Sequence, residues 1–295
     1  MSAATSQAVG EDIPGRSLWN DAWRVLRRNR AAVASAILIS VMAVLVIVGP
    51  LFSSYAYDFT DWSNLSIGPS FETGHIFGTD TLGRDLFVRT LYGGRVSLMV
   101  GIVATIVSLV IGISYGATAG YLGGRLDHIM MRIVDILYAL PFMFLVILLM
   151  VFFGRHIVLI FVAIGAINWL DMARIVRGQT LSLKNKEFVE AAEAQGVTAF
   201  AILRRHIVPN LLGVVAVYVT LTIPQVILVE SFLSFLGLGV QEPMTSWGAL
   251  VKDGSEELES APWMLTFPAL FLAATLFCFN FLGDGMRDAL DPKDR

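Results

Sequence analysis

The sequence EAAEAQG at residues 190–196, followed by HIVP at residues 206–209, is the most informative stretch of this chain. It lies in a basic loop between two strongly hydrophobic segments. Glycine tolerates the left-handed conformation that commonly follows the C-terminus of a helix. The pattern therefore predicts a short helix, a break at Gly196 and a second short helix. Together they form a compact handle at a membrane surface, to which another protein can bind.

The ends of these two helices are predicted from small polar residues and proline. Ser182 is a candidate N-cap for a first helix over residues 184–195, and Thr198 for a second helix that ends at His206. Pro209 lacks an amide proton and suits the first turn of the membrane span that follows. An ordinary amphipathic loop is the alternative interpretation of the same stretch.

The composition indicates a polytopic membrane protein. Of the 295 residues, 56% are hydrophobic and only 15% are charged, whereas soluble domains carry about 25% charged residues. The mean hydropathy is +0.70. A bilayer-spanning helix needs about 20 mostly apolar residues. Six charge-poor segments qualify as candidate spans: 31–57, 96–124, 136–154, 157–170, 207–236 and 261–283. The fourth segment is long enough only if Asp171 and Met172 belong to it.

The distribution of lysine and arginine predicts the orientation of these spans. Cytoplasmic loops carry an excess of basic residues. With the N-terminus inside, 16 of the 21 basic residues fall on the inner side. The outer five are Arg84, Arg89, Arg95, Arg155 and Lys252. We therefore expect an all-α protein with six transmembrane helices and both termini in the cytoplasm.

The expected organisation follows from these spans. It comprises a cytoplasmic N-terminal segment with an amphipathic helix (1–30), a first transmembrane helix (31–57), an extracytoplasmic loop (58–95), a core of five transmembrane helices (96–283) that contains the handle within a cytoplasmic loop (174–206), and a cytoplasmic tail (284–295). In the N-terminal segment, apolar residues alternate with arginines over residues 18–28. An interfacial helix on membrane lipid and a plain basic flank both fit this alternation.

The second span carries a stripe of small residues four positions apart. Small side chains at that spacing let another helix backbone approach closely. The partner of this stripe is either another helix of the chain or a second subunit. Its members are Ala104, Ser108, Gly112, Gly116 and Gly120.

Two prolines and one carboxylate mark a possible translocation pathway or gate. Pro141 and Pro224 lie inside the third and fifth spans, where proline tends to kink a helix, and such breaks in transporters often lie where a gate bends. A static kink is the alternative. Glu230 is a carboxylate well inside an apolar run, either on the pathway or in a hydrogen-bonded contact between helices. Its polar sequence neighbours are Gln225, Ser231 and Ser234.

Several classes of enzyme are excluded by absent motifs. No lysine is followed by serine or threonine, so a phosphate-binding loop that ends in GK[ST] does not occur. The HExxH motif is also absent. No two of the four histidines are spaced as a metal-binding pair on a helix. They are His75, His128, His156 and His206. We therefore expect no catalytic residue, metal or cofactor in this chain.

Several blocks together resemble the membrane subunits of ABC importers. The EAA stretch with Gly196 and the later proline resembles the loop by which such subunits dock into a cytoplasmic ATPase. HIFGTD (75–80), GRD (83–85), ARIVRG (173–178), ESFLSFLGLG (230–239) and GDGMRDALDP (283–292) resemble the dipeptide/oligopeptide/nickel permease family. Their order and density are similar to those of its C-type (OppC/DppC-like) subunits, over nearly the whole chain.

This resemblance implies the permease fold of type I ABC importers and a heteromeric assembly in the bacterial inner membrane. The partners would be a B-type permease, two cytoplasmic ATPases that bind ATP and magnesium, and an extracytoplasmic solute-binding protein, with no nucleic acid. Peptides are the expected substrate, although similar permeases handle nickel chelates, glutathione and sugars. The residues expected to couple to the ATPases are Glu190, Ala191, Ala192, Gly196 and Pro209. The small Ala191 and Ala192 would let their helix face lie in a groove.

The sequence allows alternatives for one cluster of residues and for the function. Asp80, Arg84 and Asp85 either form an ion-pair cluster that fixes the entry to the second span or contact the binding protein; exposed ion pairs are weak, so only a buried cluster would matter. The competing functions are an ion-coupled secondary transporter that uses Glu230 and a membrane enzyme. The absent motifs disfavour the enzyme.

Overall fold

The computed structural model describes residues 18–154 and 157–290. Residues 1–17 of the expected N-terminal segment lie outside the described residues. So do Arg155, which was counted on the outer side, His156, and residues 291–295 of the expected tail.

The described residues form a helical bundle. The α-helices are α1 (Leu18–Arg28), α2 (Arg30–Val48), α3 (Leu86–Leu122), α4 (Gly124–Ala139), α5 (Phe142–Phe153), α6 (Ile157–Lys184), α7 (Glu187–Ala194), α8 (Ala199–Ile202), α9 (Val208–Phe235), α10 (Trp247–Glu256) and α11 (Trp263–Leu290). A 3-10 turn follows α2 at Gly49–Leu51, and a π turn joins α8 to α9 at Leu203–Ile207.

Four stretches of helix in the described part are long and apolar enough to cross a membrane: Arg30–Leu51, Leu86–Leu122, Ala199–Phe235 and Trp263–Leu290. The pair α4–α5, bent by 85° at its break, counts as a fifth if it forms one span. The helix α6, which contains the predicted fourth span, is not among them. The fold is therefore that of a multi-pass helical membrane protein with four or five recognisable spans.

Pro141 and Pro224 behave differently. The helix α4 ends at Ala139 and α5 begins at Phe142, so the chain breaks at Pro141 as predicted. The helix α9 instead continues from Val208 to Phe235 with Pro224 in its interior. A proline in a helix leaves one backbone carbonyl without its usual donor but need not end the helix.

The helix of the fourth span is longer than predicted. It runs to Lys184, so Ser182 lies inside α6 and does not cap a new helix, contrary to our expectation. Charged residues did not end it because two arginines of its second half pair with aspartates of α4. Arg174 lies 2.9 Å from Asp135, and Arg177 makes two short hydrogen bonds to Asp127.

The stripe of small residues on α3 packs within the chain, against α6. The Ser108 hydroxyl donates to the Gly165 carbonyl at 3.2 Å. A Cβ added at Gly116 would lie 2.3 Å from the Ala173 carbonyl oxygen, and one at Gly112 would lie 2.5 Å from the Met172 side chain. These glycines therefore allow the two helix backbones to touch, which is how small residues drive association in lipid.

The two ends of the described chain lie together. A Cβ added at Gly285, near the end of α11, would lie 2.4 Å from Cβ of Ala32 and 3.3 Å from the Leu26 side chain. The Asn29 side chain accepts a hydrogen bond from the Ala32 amide and so caps α2. The helices α1 and α11 thus end on one side of the bundle, the side that also holds the C-terminal end of α3 and the N-terminal end of α9.

Candidate functional site: an exposed handle and a cap with buried charges

The break at Gly196 is present as predicted. The helix α7 ends at Ala194, and Gly196 has a φ of +76°. The Gly196 amide donates to the Glu193 carbonyl at 2.9 Å, and the Val197 amide donates to the Ala192 carbonyl at 3.1 Å. These two bonds form a Schellman motif, in which glycine supplies the left-handed residue. We call residues 187–207, from α7 to the end of the π turn, the handle.

The second helix of the handle does not end at His206. It passes from α8 through the π turn directly into α9. Thr198 occupies the N-cap position, but its side chain makes no capping hydrogen bond. Pro209 lies in the first turn of α9, as predicted. Because proline has no amide proton and its ring crowds the carbonyl four residues earlier, the wider π turn accommodates it without ending the helix.

One face of the handle is anchored to its own chain. Val189, Ala192, Ile202 and Ile207 are buried in a hydrophobic cluster that also includes Tyr121 at the end of α3. The Tyr121 hydroxyl donates to the Glu193 carboxylate at 2.8 Å. This anchoring orients the whole handle on the end of the bundle.

The opposite face of the handle is exposed. Glu190, Ala191 and Gly196 are exposed, and Phe200 is exposed by 72%. Nothing within 4 Å would meet a Cβ added at Gly196. Ala191 and Ala192 therefore do not share one partner-facing surface, contrary to our expectation, since Ala192 packs inward. The exposed Phe200 was missed in the sequence because a lone phenylalanine in an apolar stretch is usually buried.

Asp80, Arg84 and Asp85 are all buried at the other end of the bundle, where Asp80 and Arg84 form an ion pair. The Asp80 carboxylate lies 2.6 Å from Nε of Arg84 and 3.4 Å from Nε of Arg89. Arg84 also donates to Glu242 at 2.9 Å. The three predicted residues are each less than 10% exposed. The geometry matches a local cluster that fixes the entry to α3.

Further contacts join this region into one body, which we call the outer cap (residues 52–85 and 237–262) after the side of the membrane that the sequence predicts for it. The Asp85 carboxylate caps α3 by accepting from the Val88 amide and lies 2.8 Å from Nδ1 of the buried His75. Burial lowers the pKa of Arg84, but the charges of Asp80 and Glu242 outweigh this and leave the pKa raised. The guanidinium is therefore firmly charged.

Glu230 lies near the outer end of α9, where it is fully buried among serine hydroxyls. Ser234 donates to one carboxylate oxygen at 2.7 Å and Ser97, on α3, donates to the other at 3.0 Å. The Ser97 oxygen also accepts from the Trp247 amide at 3.2 Å, at the start of α10. Glu230 thus links three helices, which agrees with the interpretation of this carboxylate as a hydrogen-bonded contact between helices.

The remaining gate candidates are not gathered around Glu230. Gln225 is exposed and is not among the hydrogen-bonding partners of that carboxylate, whereas Ser231 lies at 3.5 Å. Pro224 is buried and Pro141 is exposed at the α4–α5 break. The placement of Glu230, Gln225, Pro141 and Pro224 does not bring these four gate candidates into one site.

A family model of the binding-protein-dependent transport system inner membrane component matches residues 109–295. The chain belongs to this family. A second model, the N-terminal TM domain of oligopeptide transport permease C, matches residues 17–69. The permease is therefore a transport subunit rather than an enzyme, and the family favours the importer over an ion-coupled secondary transporter.

Named relatives of the permease match over nearly its whole length. It is 62% identical to the oligopeptide transport system permease protein OppC of Escherichia coli K12, over 96% of this chain and 94% of the relative. It is 60% identical to OppC of Haemophilus influenzae, over 96% and 91%. It is 47% identical to the dipeptide transport system permease protein DppC of Bacillus subtilis, over 96% and 88%.

A solved structure shares the fold. An inward-facing structure of the MetNI methionine ABC transporter matches with a TM-score of 0.53 and 21% identity, over 69% of this chain and 96% of that one. The similarity confirms an ABC importer permease fold for the permease.

Proposed function

We propose that the permease is the C-type subunit of a bacterial inner-membrane importer of dipeptides and oligopeptides. The support for this substrate class is its identity of about 60% to oligopeptide permeases and of 47% to a dipeptide permease. The full proposal includes six spans with both termini in the cytoplasm. The helix α6, whose first half is charge-free up to Asp171, would supply the sixth span.

The proposed partners are a B-type permease, two cytoplasmic ATPases that bind ATP and magnesium, and an extracytoplasmic binding protein. The proposed ATPase contact rests on the difference between the two faces of the handle. Ala192, Ile202 and Ile207 pack against the bundle on one face, whereas Glu190, Ala191 and Phe200 are exposed. A rigid projection with an exposed aromatic side chain has the chemistry of a docking anchor.

In the proposed mechanism, ATP closes the two ATPases and draws the two handles together. The spans then rock from an inward-open to an outward-open arrangement, a rigid-body change. The ATPases can shift this equilibrium only by as much as they bind one arrangement more tightly than the other. The handle must therefore transmit force without yielding, as its anchoring to α3 and α9 allows.

Affinity purification of the tagged permease from native membranes in mild detergent tests the assembly. Mass spectrometry should find two ATPases with phosphate-binding loops and a homologous permease. Purification of the chain alone or as a homo-oligomer would contradict the proposal.

Uptake of labelled trialanine by proteoliposomes that contain the assembled complex and its binding protein tests the energy source. Uptake should require ATP inside and persist when a proton uncoupler is added at constant ATP. Uptake that stops with the uncoupler would overturn the ATP-driven mechanism.

A further inference from the structure

A cavity of about 370 Å³ lies beside the break at Pro141. It is formed by the end of α4, the start of α5, the middle of α6 and one residue of α9. Its walls are mostly apolar, with Leu140 and Val229 among them, and three polar side chains reach it: Tyr138, Asn168 and Asp171. The cavity is partly open to the surface of the chain.

Asp171 is the charged side chain of this cavity. Among the residues that the structure describes, no basic side chain lies within 4.0 Å of its carboxylate. Arg174, one turn further along α6, is occupied elsewhere. It pairs with Asp135 at 2.9 Å and lies over the Tyr138 ring at 4.4 Å. A carboxylate at such a position is costly unless it faces water or meets a cation.

Asn168 and Tyr138 add hydrogen-bonding capacity beside that charge. The Asn168 amide nitrogen donates to the Ile164 carbonyl at 3.0 Å, which leaves its side-chain oxygen as an acceptor for a ligand N–H. The Tyr138 hydroxyl can donate or accept. The cavity thus combines one negative charge, two neutral polar groups and apolar walls.

We propose that Asp171 binds the N-terminal ammonium group of the peptide as it crosses the membrane, with Asn168 and Tyr138 beside it to hydrogen-bond the peptide main chain. This proposal rests on the proposed peptide function. The ammonium and the main-chain amides are common to all peptides with a free N-terminus, whatever their side chains, and apolar walls tolerate varied side chains. A single charge contact also keeps binding weak enough for release, as conduction requires.

The test uses the assembled importer without its binding protein, in detergent. An Ile167→Cys substitution places a thiol in the cavity wall, in a Cys278→Ala background, and a neutral maleimide reports its accessibility. Trialanine should slow the modification, whereas N-acetyl-trialanine, which lacks the ammonium, should need at least a tenfold higher concentration. Equal protection by the two peptides would overturn the proposal.

Charge variants then separate the effect of the Asp171 charge on peptide binding from the effect of the cavity shape. Asp171→Asn should raise the half-protecting concentration of trialanine at least tenfold and leave that of N-acetyl-trialanine unchanged. Asp171→Glu, which keeps the charge, should retain most of the protection, and Asp288→Asn, an exposed carboxylate at the end of α11, should behave like the parent. Unchanged protection in Asp171→Asn would refute the role of this carboxylate.

Two other outcomes are distinguishable. If Asp171 instead pairs with a basic residue of the partner permease, Asp171→Asn would weaken the complex in size-exclusion chromatography, and the parent would not discriminate between the two peptides. If the peptide function itself is wrong, the parent complex would show no ATP-driven trialanine uptake in proteoliposomes. Protection by trialanine over N-acetyl-trialanine together with such uptake supports both proposals.

Discussion

The outer cap and the handle lie at opposite ends of the bundle and are built in opposite ways. In the outer cap, charged residues such as Asp80 and Arg84 are buried and satisfy one another within the chain. In the handle, a charged residue and a large aromatic one, Glu190 and Phe200, are left exposed. The difference indicates that the cap completes its own structure, whereas the handle keeps one face for a partner.

Removing Asp80 should have the largest effect on stability. In Asp80→Ala, Arg84 and Arg89 would remain buried without their shared carboxylate, and breaking a buried pair costs about 3–5 kcal/mol. Thermal unfolding of the purified complex measures the loss. Glu72→Gln, an exposed acid of the same region, is the control and should unfold like the parent. A melting temperature for Asp80→Ala equal to that of the control would show that the cap does not depend on this cluster.

Replacing Glu230 should have the next largest effect. Glu230→Leu leaves the buried hydroxyls of Ser97 and Ser234 without their acceptor, and each such loss costs about 1–3 kcal/mol. Glu230→Gln keeps an acceptor oxygen and should unfold closer to the parent. Measuring uptake as well as thermal unfolding separates a role on the translocation pathway from a role in stability. Reduced uptake at unchanged stability would place Glu230 on the pathway, and no change in either would exclude both roles.

Gly196→Arg should block transport more than it destabilises the chain. A non-glycine residue at the φ of +76° is strained by about 1–2 kcal/mol, and the side chain would project from the exposed face of the handle. We expect the protein to insert normally and ATP-driven uptake to fall at least tenfold, about 1.4 kcal/mol. Asn tolerates the left-handed conformation better, so Gly196→Asn should retain more uptake. Normal uptake in the arginine variant would refute the coupling role.

Phe200→Ser should have the smallest effect on stability, within about 0.5 kcal/mol, because the side chain is already exposed. It should nevertheless reduce the amount of ATPase that co-purifies with the permease. Phe71→Ser, at a phenylalanine of the outer cap that is exposed by 87%, is the matched control and should leave ATPase recovery unchanged. Equal recovery from both variants would remove Phe200 from the docking face.

The sequence was sufficient where one residue decides the local conformation. Gly196 predicted the end of α7 because few residues adopt a positive φ. Pro141 predicted the break between α4 and α5, although Pro224 did not end α9. The positions of charged residues predicted the ends of helices less well. The predicted fourth span stops near Asp171, but α6 continues to Lys184 because its arginines find aspartates on α4. Pairing between distant helices cannot be seen in a local window.

The residues missed at the candidate sites have a similar explanation. The stripe of small residues was visible in the sequence, but its partner α6 was not, because close packing is a property of two helices. Asp171 was considered only as the end of a span. Its placement in a cavity with Asn168 and Tyr138 depends on where four helices meet, which the spacing along the chain does not specify.

The π turn before Pro209 has a mechanical consequence. It joins α8 to α9 without a loop, so Ala199–Phe235 is one continuous stretch of 37 residues. At about 1.5 Å per residue this lever is about 55 Å long, and a tilt of about 5° moves one tip by about 5 Å relative to the other. Glu230 pins the outer end to α3 and α10, so this end is the natural fulcrum. If an ATPase displaces the handle, as we propose, the movement would reach the middle of the membrane directly, because no flexible loop interrupts the helix.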